Sequence, residues 1–405
     1  MIIPPQKKRI VIILDTTEGQ LGGTEQNTLN FAQALLKRGY DALLIEVGQT
    51  ILYKSIDSRG INILNIPTTN FRDVTISQWR YILKKTQPTV VVRSKNWIGC
   101  VNRNLDLIMF ASNTHYLSWE HHPARRPNAV QNNESLLECI NPRQIKRRIS
   151  RNLHERLHLK SIRHTVAVSK AVRDPMVQYY SVPKSSVEII YPGVDFDFFT
   201  HEDLARKQLR AEWNIPQEAL VIGSVGRLAQ HKGNDFSLNI FAELIRRNKS
   251  LDIWCVFAGK GPDLTRLQEL AKKLGVIQKV RFPGWQESAP NTFSALDIFL
   301  MPSSDEGLGM TLIEAVACGC LSLGTAIGGM TEILSGPLEK YALPPSELDA
   351  WVVATENLLL ARYSDRKHLH SLAYEDLLQR FDAKKQWDLM VDWLDSKSSI
   401  PKYFF

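Results

Sequence analysis

The sequence predicts an α/β protein with two Rossmann-like parallel-sheet domains that face each other across a cleft. Short apolar runs alternate with helical patterns along the chain, which is typical of parallel βαβ units. This rhythm pauses around residues 191–213, where Pro192 and Gly193 mark a turn and linker, and then restarts. The length of 405 residues suits two domains of roughly 150–200 residues each. Because open parallel sheets bind ligands beyond the carboxyl ends of their strands, two facing sheets would share one cleft.

The predicted elements divide the chain into two halves of the same type. In the first half the strands are Arg9–Leu14, Ala42–Val47, Ile61–Ile66, Thr89–Arg93, Tyr116–Trp119, Thr165–Val168 and Val187–Ile190, and the helices are Glu25–Lys37, Ser77–Lys85 and Ile145–Lys160. In the second half the strands are Val221–Val225, Asp252–Phe257, Val280–Phe282, Ile298–Met301 and Leu321–Leu323, and the helices are Phe236–Arg247, Asp263–Leu274 and Thr311–Ala317. We therefore assign residues 1–195 to an N-terminal domain, 205–382 to a C-terminal domain and 383–405 to a C-terminal helix.

Composition indicates a globular protein, with 44% hydrophobic and 23% charged residues. The apolar run Ile10–Leu14 ends at Asp15, which is too short for a signal peptide, and no stretch approaches the ~18 apolar residues of a membrane span. The five cysteines are scattered and odd in number, which favours reduced thiols. Cys318 and Cys320 lack a second pair at metal-ligand spacing, so no metal site is expected. These features predict a soluble, cytoplasmic protein.

The formal charge of +8 concerns partners rather than fold. Its densest concentration lies between residues 143 and 163, where Glu155 is the only acid. Two interpretations stay open: a solvated helix face, or a surface that meets anionic lipid head groups or a phosphate-bearing acceptor. Nucleic acid is not expected as a partner, because no binding motif accompanies the charge. The cations are Arg143, Lys146, Arg147, Arg148, Arg151, Arg156, Lys160 and Arg163.

Two glycine-containing loops follow predicted strands. Gly22 and Gly23 lie in the first βα turn, where bare backbone N–H groups can approach a phosphate or sugar, although such a turn can also simply start a helix. In the second half, Arg227 and Lys232 follow the strand that ends at Val225. Two cations at the carboxyl edge of a sheet suit a diphosphate leaving group, because they neutralise the charge that builds as the sugar–phosphate bond breaks. The alternative is a pair of surface cations.

A third loop carries two glutamates eight positions apart. Glu306 lies on the glycine-lined loop after a predicted strand, and Glu314 lies in the early turns of the following helix. Since a carboxylate would repel a diphosphate, we expect both to accept hydrogen bonds from sugar and ribose hydroxyls. The free N–H groups of Gly307, Leu308, Gly309 and Met310 at the helix start would stabilise an anion. A paired-carboxylate hydrolase is the competing interpretation, which the upstream cations disfavour.

Over almost its whole length the chain resembles glycosyltransferase family 4, the retaining enzymes of the GT-B fold. Eight segments match in the family's order, and the two glutamates with Arg and Lys upstream are a highly specific combination. Cys320 stands where a proline is commoner, and Leu308 where an aromatic residue is frequent. The segments are Gly22–Glu25, Val168-Ser169, Tyr191–Asp195, Gly226-Arg227 with Lys232-Gly233, Ala258–Pro262, Phe282–Gly284, Glu306 with Glu314-Ala315, and Gly328–Glu332.

The resemblance implies a role for each matching residue. Arg227 and Lys232 match the pair that holds the donor diphosphate. Glu306 matches the glutamate that contacts the donor sugar, and Glu314 the one that binds the ribose. Gly23, with Gly22 beside it, matches the glycine near the β-phosphate.

The resemblance also singles out a histidine. His121, in the segment Trp119–Pro123, is similar to the family's active-site histidine near the C6 side of the sugar. His122 is the neighbouring alternative. Without the family, a structural role for this histidine pair is the other interpretation.

The function implied by the resemblance is retaining, metal-independent transfer of a sugar from a nucleotide-diphosphate sugar to a hydroxyl of a glycan, lipid-linked or small-molecule acceptor. The C-terminal domain would bind the donor, with UDP or GDP as the expected nucleotide, and the N-terminal domain the acceptor. No cofactor is implied. A nucleotide-sugar epimerase or phosphorylase and a non-catalytic partner protein remain as alternatives. The sequence specifies neither the donor sugar and base, nor the acceptor, nor the oligomeric state.

Overall fold

The computed structural model describes residues 8–16, 22–48, 60–95, 102–112, 114–123, 162 and 164–398. The chain forms two compact units, of which the first comprises residues 1–192 and 385–405 and the second residues 193–384. The predicted helix Ile145–Lys160 and the basic residues between 143 and 163 lie outside the described residues.

Within the described residues, the first unit contains a seven-stranded parallel sheet with the order β3-β2-β1-β4-β5-β6-β7. The chain order of the strands therefore reverses between β1 and β4, which are neighbours. This is the strand order of a Rossmann-like sheet. The strands are β1 (Arg9–Thr16), β2 (Asp41–Gly48), β3 (Asn62–Pro67), β4 (Val90–Lys95), β5 (His115–Glu120), β6 (His164–Ala167) and β7 (Val187–Ile189).

Side-chain caps mark where three of the four described helices between these strands begin. The hydroxyl of Thr75 accepts a hydrogen bond from the backbone N–H of Gln78, the side chain of Asn102 from Leu105, and the hydroxyl of Ser169 from Val172. Each cap satisfies an N–H group that has no partner within its own helix. The helices are α1 (Gly23–Lys37), α2 (Ile76–Thr86), α3 (Arg103–Ala111) and α4 (Lys170–Tyr180).

Helices cover the sheet of the first unit, so its central strand is buried on both faces. Val11 and Ile13 of β1 pack in one cluster with Trp79 of α2. Because side chains alternate along a strand, Ile10 and Ile12 point to the opposite face, and they are also fully buried. Burial on both faces explains why the strand is a continuous apolar run rather than an alternating one.

The second unit repeats the same strand order in a six-stranded parallel sheet, β10-β9-β8-β11-β12-β13. Its strands are β8 (Leu220–Val225), β9 (Ile253–Ala258), β10 (Val280–Gly284), β11 (Ile298–Met301), β12 (Leu321–Thr325) and β13 (Ala342–Leu343). Its helices are α5 (Asp203–Glu212), α6 (Asn234–Arg247), α7 (Leu264–Lys273), α8 (Ala289–Ser294), α9 (Met310–Ala317), α10 (Met330–Ile333), α11 (Leu348–Leu360) and α12 (Tyr363–Phe381). The prediction of two Rossmann-like parallel sheets is confirmed.

The last helix, α13 (Ala383–Ser398), packs against the first unit. The ring of Trp387 lies edge-on to that of Trp119 at 6.0 Å between centroids. Arg38, directly after α1, forms two ion pairs with α13. Its guanidinium nitrogens lie 2.9 Å from Asp388 Oδ1 and 2.6 Å from Asp392 Oδ1. An apolar contact flanked by ion pairs thus attaches this helix to α1 and β5.

The predicted linker at residues 191–213 is wrong in part, because α5 occupies residues 203–212. This helix is held by arginines rather than by an apolar stripe: Arg206 and Arg210 bond to Asp297 at 2.8 and 3.0 Å. Asp297 also accepts the backbone N–H of Val221 at the start of β8. A hydrophobic pattern cannot reveal such an anchor. The hydrophobic pattern likewise predicts neither the strand β13 nor the helices α3, α4, α8, α10, α11 and α12.

Candidate functional site

The strongest group of predicted site residues lies where the second sheet reverses its strand order. The neighbours β8 and β11 carry the loops with Arg227 and Lys232 and with Glu306, respectively. Since the carboxyl ends of parallel strands lie at one edge of a sheet, both loops reach the same edge. This is the position where open α/β sheets bind ligands.

Lys232 and Glu306 are in direct contact across this reversal. Lys232 Nζ donates a hydrogen bond to Glu306 Oε1 over 2.5 Å, and the two side chains are 29% and 10% exposed. A charge-assisted hydrogen bond in a partly buried position fixes the ammonium group at the sheet edge. It also compensates the charge of the carboxylate. The other predicted cation, Arg227, lies on the same loop with an exposed side chain.

Backbone geometry shapes the glycine-lined loop before α9. Gly309 has φ = +97°, a left-handed conformation that disfavours other residues, and it is followed by the first residue of the helix, Met310. A Cβ atom at Gly329 would lie 2.2 Å from the carbonyl oxygen of Gly307, so the loop after β12 supports this one closely. Leu308 is buried. The N–H groups of the first turn of α9 thus start at the edge that carries Lys232.

Glu314 lies inside α9, one helical turn beyond its start. The residue keeps part of its accessible surface, but protein surrounds its carboxyl group. Removal of the carboxyl group from water raises its pKa from the ordinary 4.5 to about 7. A carboxyl group in this state can donate as well as accept a hydrogen bond near neutral pH, which suits contact with neutral hydroxyl groups.

In the first unit, the predicted glycine turn forms the start of α1. The N–H group of Gly22 donates to Glu25 Oε2 over 2.8 Å, so it caps the helix. At Gly23 no described atom outside the adjacent residues lies within 4 Å of where a Cβ would stand. Gly23 therefore has open space beside it within the described part of the chain.

His121 follows directly after β5 and is connected to α1 by two hydroxyl groups. Its Nε2 lies 3.1 Å from Ser94 Oγ, and Ser94 Oγ lies 2.7 Å from Thr28 Oγ1. All three residues are buried. Burial, with a smaller effect of the neighbouring, partly exposed His122, lowers the pKa of His121 to about 3. At neutral pH the imidazole of His121 is uncharged.

Sequence reasoning missed Ser94 and Thr28 as partners of His121. Ser94 is the second-last residue of β4, at the carboxyl edge of its sheet, so its position was a usable signal. Thr28 lies within α1 and gave no signal, because a threonine inside a helix is ordinary. The structure thus joins His121 to the helix that begins at Gly23.

Metal-binding side-chain clusters and membrane-spanning helices are both absent from the described residues. No group of three or more His, Cys, Asp or Glu side chains there is placed to hold a metal ion. None of the described helices combines the length and apolar character needed to cross a bilayer.

Two family models match consecutive parts of the chain. The one described as Glycosyltransferase Family 4 matches residues 21–198, and the one described as Glycosyl transferases group 1 matches residues 205–376. Together they cover residues 21–376 except for 199–204.

Curated relatives match about half of this chain and about half of their own length. The D-inositol 3-phosphate glycosyltransferase of Corynebacterium jeikeium is 32% identical over 203 residues, which is 48% of this chain and 48% of that protein. The mannosylfructose-phosphate synthase of Agrobacterium fabrum is 30% identical over 191 residues, which is 45% of this chain and 42% of that protein.

Solved structures resemble the whole chain. A glycosyltransferase from Rickettsia africae has a TM-score of 0.80 at 18% identity, with 98% of this chain and 100% of that chain covered. Anabaena Alr3699/HepE in complex with UDP and glucose has a TM-score of 0.77 at 16% identity, with 96% and 100% covered. At these identities the likeness supports the GT-B fold.

The raised pKa of Glu314 predicts a pH-dependent contribution to stability. Between about pH 4.5 and pH 7 the unfolded chain has this carboxyl group ionised while the folded protein keeps it protonated. Rising pH therefore favours unfolding across this window. Glutamine cannot titrate, so we expect the free energy of unfolding of Glu314→Gln, relative to the unchanged protein, to increase with pH between these values and then level off.

Urea unfolding of the full chain at a series of pH values measures this difference. Glu287→Gln is the matched control, because it removes an exposed carboxyl group outside α9. A pH-independent difference for Glu314→Gln would contradict the burial of its carboxyl group.

Proposed function

This chain belongs to glycosyltransferase family 4, and on that premise we propose that it is a retaining glycosyltransferase. It would move a sugar from a nucleoside-diphosphate sugar to a hydroxyl group of a glycan, lipid-linked or small-molecule acceptor. The observation that carries the proposal is the Lys232–Glu306 contact beside Arg227 at the strand reversal of the second sheet. A hydrolase acting through two carboxylates has no need of cations at that position.

In the proposed site the second unit binds the donor. Arg227 and Lys232 bind the diphosphate, and the N–H groups from Gly307 to Met310 add donors at the start of α9. Glu306 accepts from a hydroxyl of the donor sugar, and Glu314 contacts the ribose. Lys232 serves two partners, since its ammonium group contacts the Glu306 carboxylate and has further N–H donors for a phosphate.

The proposed reaction takes place on one face of the donor sugar. The bond between the anomeric carbon and the β-phosphate oxygen breaks, and the acceptor oxygen bonds to that carbon on the same face. The acceptor proton passes to the departing phosphate oxygen, so no separate base is required. The charge of the departing diphosphate is stabilised by Arg227, Lys232 and the start of α9, which supply what a metal ion supplies elsewhere.

UDP and GDP are the proposed donor nucleotides. The Anabaena structure was solved with UDP and glucose, which supports UDP as the first to test. The names of the curated relatives contain phosphorylated small molecules, inositol phosphate and mannosylfructose phosphate. These names support a phosphate-bearing small molecule as one of the acceptor classes to test.

Removal of either cation should weaken nucleotide binding. We expect Arg227→Ala and Lys232→Ala each to lower the affinity for UDP or GDP, and the double variant to lose less than the sum of the two, because both cations address one diphosphate. Calorimetry of the unchanged protein with UDP, GDP and ADP first identifies the nucleotide that binds. The affinities of the variants for that nucleotide are then compared. Lys272→Ala on the exposed face of α7 is the control. Unchanged affinity in both single variants would exclude these residues from the site.

Neutralisation of Glu306 should separate turnover from binding. Glu306→Gln loses a charged acceptor for a sugar hydroxyl, worth about 1.5–3 kcal/mol, so we expect turnover to fall at least about tenfold. The same change releases the Lys232 ammonium group from its carboxylate partner, so nucleotide affinity should not fall. Asp305→Asn, which alters the exposed neighbouring carboxylate, should leave both unchanged.

Mass spectrometry with the nucleotide sugar and no acceptor gives the readout for Glu306→Gln. Slow release of free sugar by the unchanged protein supports transfer, whereas isomerised donor would identify an epimerase. Undiminished turnover of Glu306→Gln at saturating donor would exclude Glu306 from the site.

We also propose that the basic residues between 143 and 163 attach the protein to an anionic membrane surface. Eight cations against one acid could each contribute on the order of 1 kcal/mol near such a surface. Replacement of Lys146, Arg147, Arg148 and Arg151 by Gln should abolish salt-sensitive sedimentation with anionic vesicles and leave nucleotide affinity unchanged. Equal binding of the unchanged protein to neutral and anionic vesicles, or to neither, would contradict this role.

A further inference from the structure

We infer that Thr28 and Ser94 are positioning residues that hold His121 in one tautomer, with the proton on Nε2 and a lone pair on Nδ1. In this state His121 offers substrate a hydrogen-bond acceptor and no donor at Nδ1. Its partner would be a hydroxyl group of the sugar substrate, and in that respect the inference rests on the proposed function.

The direction of the hydrogen bonds is set at the Thr28 end. Thr28 Oγ1 lies 2.8 Å from the backbone carbonyl oxygen of Thr24, four residues earlier in α1. A carbonyl oxygen can only accept, so the single hydroxyl proton of Thr28 is used on Thr24. Thr28 therefore has only lone pairs left for its second neighbour.

That second neighbour is Ser94, 2.7 Å away, which must donate its proton to Thr28. Ser94 is then left with lone pairs toward His121 Nε2 at 3.1 Å, so Nε2 must carry the proton. In the reverse order, Thr28 would donate to Ser94 and Ser94 to Nε2. Thr28 Oγ1 and the Thr24 carbonyl oxygen would then lie 2.8 Å apart without a proton between them. That arrangement loses one buried hydrogen bond, so it is disfavoured.

Burial enforces this proton arrangement. Thr28 and Ser94 are 0% and 1% exposed, so water does not offer them alternative partners. The pKa of His121 is lowered to about 3 by the same burial, so the ring carries a single proton at neutral pH. The Trp119 ring packs against the imidazole, with 4.4 Å between the two ring centroids, and limits the rotation of the imidazole. One neutral tautomer in one orientation follows.

Nδ1 of His121 has no hydrogen-bond partner within the described part of the chain. A neutral acceptor there binds hydroxyl groups and offers nothing to a carboxylate, whose oxygens also only accept. The inference therefore concerns substrate class: the sugar position that meets His121 carries a hydroxyl, and its deoxy or carboxylate analogue is discriminated against.

Thr28→Val tests the inference without altering either residue that contacts the imidazole. Valine has the shape of threonine but cannot accept the Ser94 proton, so Ser94 is free to donate to Nε2. We expect His121 to shift toward the tautomer protonated on Nδ1. Thr28→Ser restores the hydroxyl and should restore the original tautomer.

Nitrogen NMR of the full chain labelled at its 10 histidines distinguishes the two tautomers by their ring ¹⁵N shifts. The His121 signals are assigned by their absence in His121→Gln. Protonation of Nδ1 in the unchanged protein, or an unaltered Nε2–H tautomer in Thr28→Val, would overturn the inference. If Thr28→Val fails to fold, Ser94→Ala replaces it, and a ring that keeps a single tautomer without the serine hydroxyl would likewise overturn it.

The second readout is kinetic, with UDP-glucose and GDP-mannose as probes. We expect Thr28→Val to lower kcat/KM by about tenfold, as for a lost hydrogen bond to substrate, with UDP and GDP affinity unchanged and with recovery in Thr28→Ser. A shifted tautomer without any loss of kcat/KM would show that Nδ1 does not contact substrate. Because the tautomer is measured without substrate, its outcome is independent of the proposed transferase activity.

Discussion

In each unit, a side-chain contact beside the reversal of strand order is the interaction on which the candidate site residues depend. In the second unit Lys232 and Glu306 meet across the reversal between β8 and β11. In the first unit Thr28 and Ser94 meet across the equivalent reversal between β1 and β4. At such a reversal the connections lead away to opposite sides and leave the strand ends open to a ligand. The same topology therefore provides an ion pair in one unit and a hydroxyl pair in the other.

The difference between the two pairs follows from burial. Lys232 remains 29% exposed, so its charge can be kept and offered to an anion. Thr28 and Ser94 are fully enclosed, where an unpaired charge would be costly, and neutral hydroxyl groups fill the position. Charge is thus retained where the proposed diphosphate would bind. Neutral groups occupy the place where a sugar hydroxyl would be recognised.

In each unit desolvation shifts the pKa of one predicted site residue toward the neutral form. It raises the pKa of Glu314 to about 7 and lowers that of His121 to about 3, in each case because burial disfavours the charged form. Both groups then suit contact with neutral hydroxyl groups. Among the carboxylates of the proposed donor site, Glu306 has the cationic partner that its charge requires.

The sequence by itself determined the fold class and most of the strands, because strands buried on both faces, such as β1, are continuous apolar runs between turn residues. It also determined that Arg227, Lys232 and Glu306 follow strand ends, since this is a matter of order along the chain. Only the tertiary structure decided which strands, loops and helices are neighbours, and so brought Lys232 to Glu306 and Thr28 to Ser94. It likewise decided the anchoring of α5 through Asp297 and the protonation of Glu314 and His121. Hydrogen-bond partners and desolvation arise from residues distant in sequence, and no local pattern encodes them.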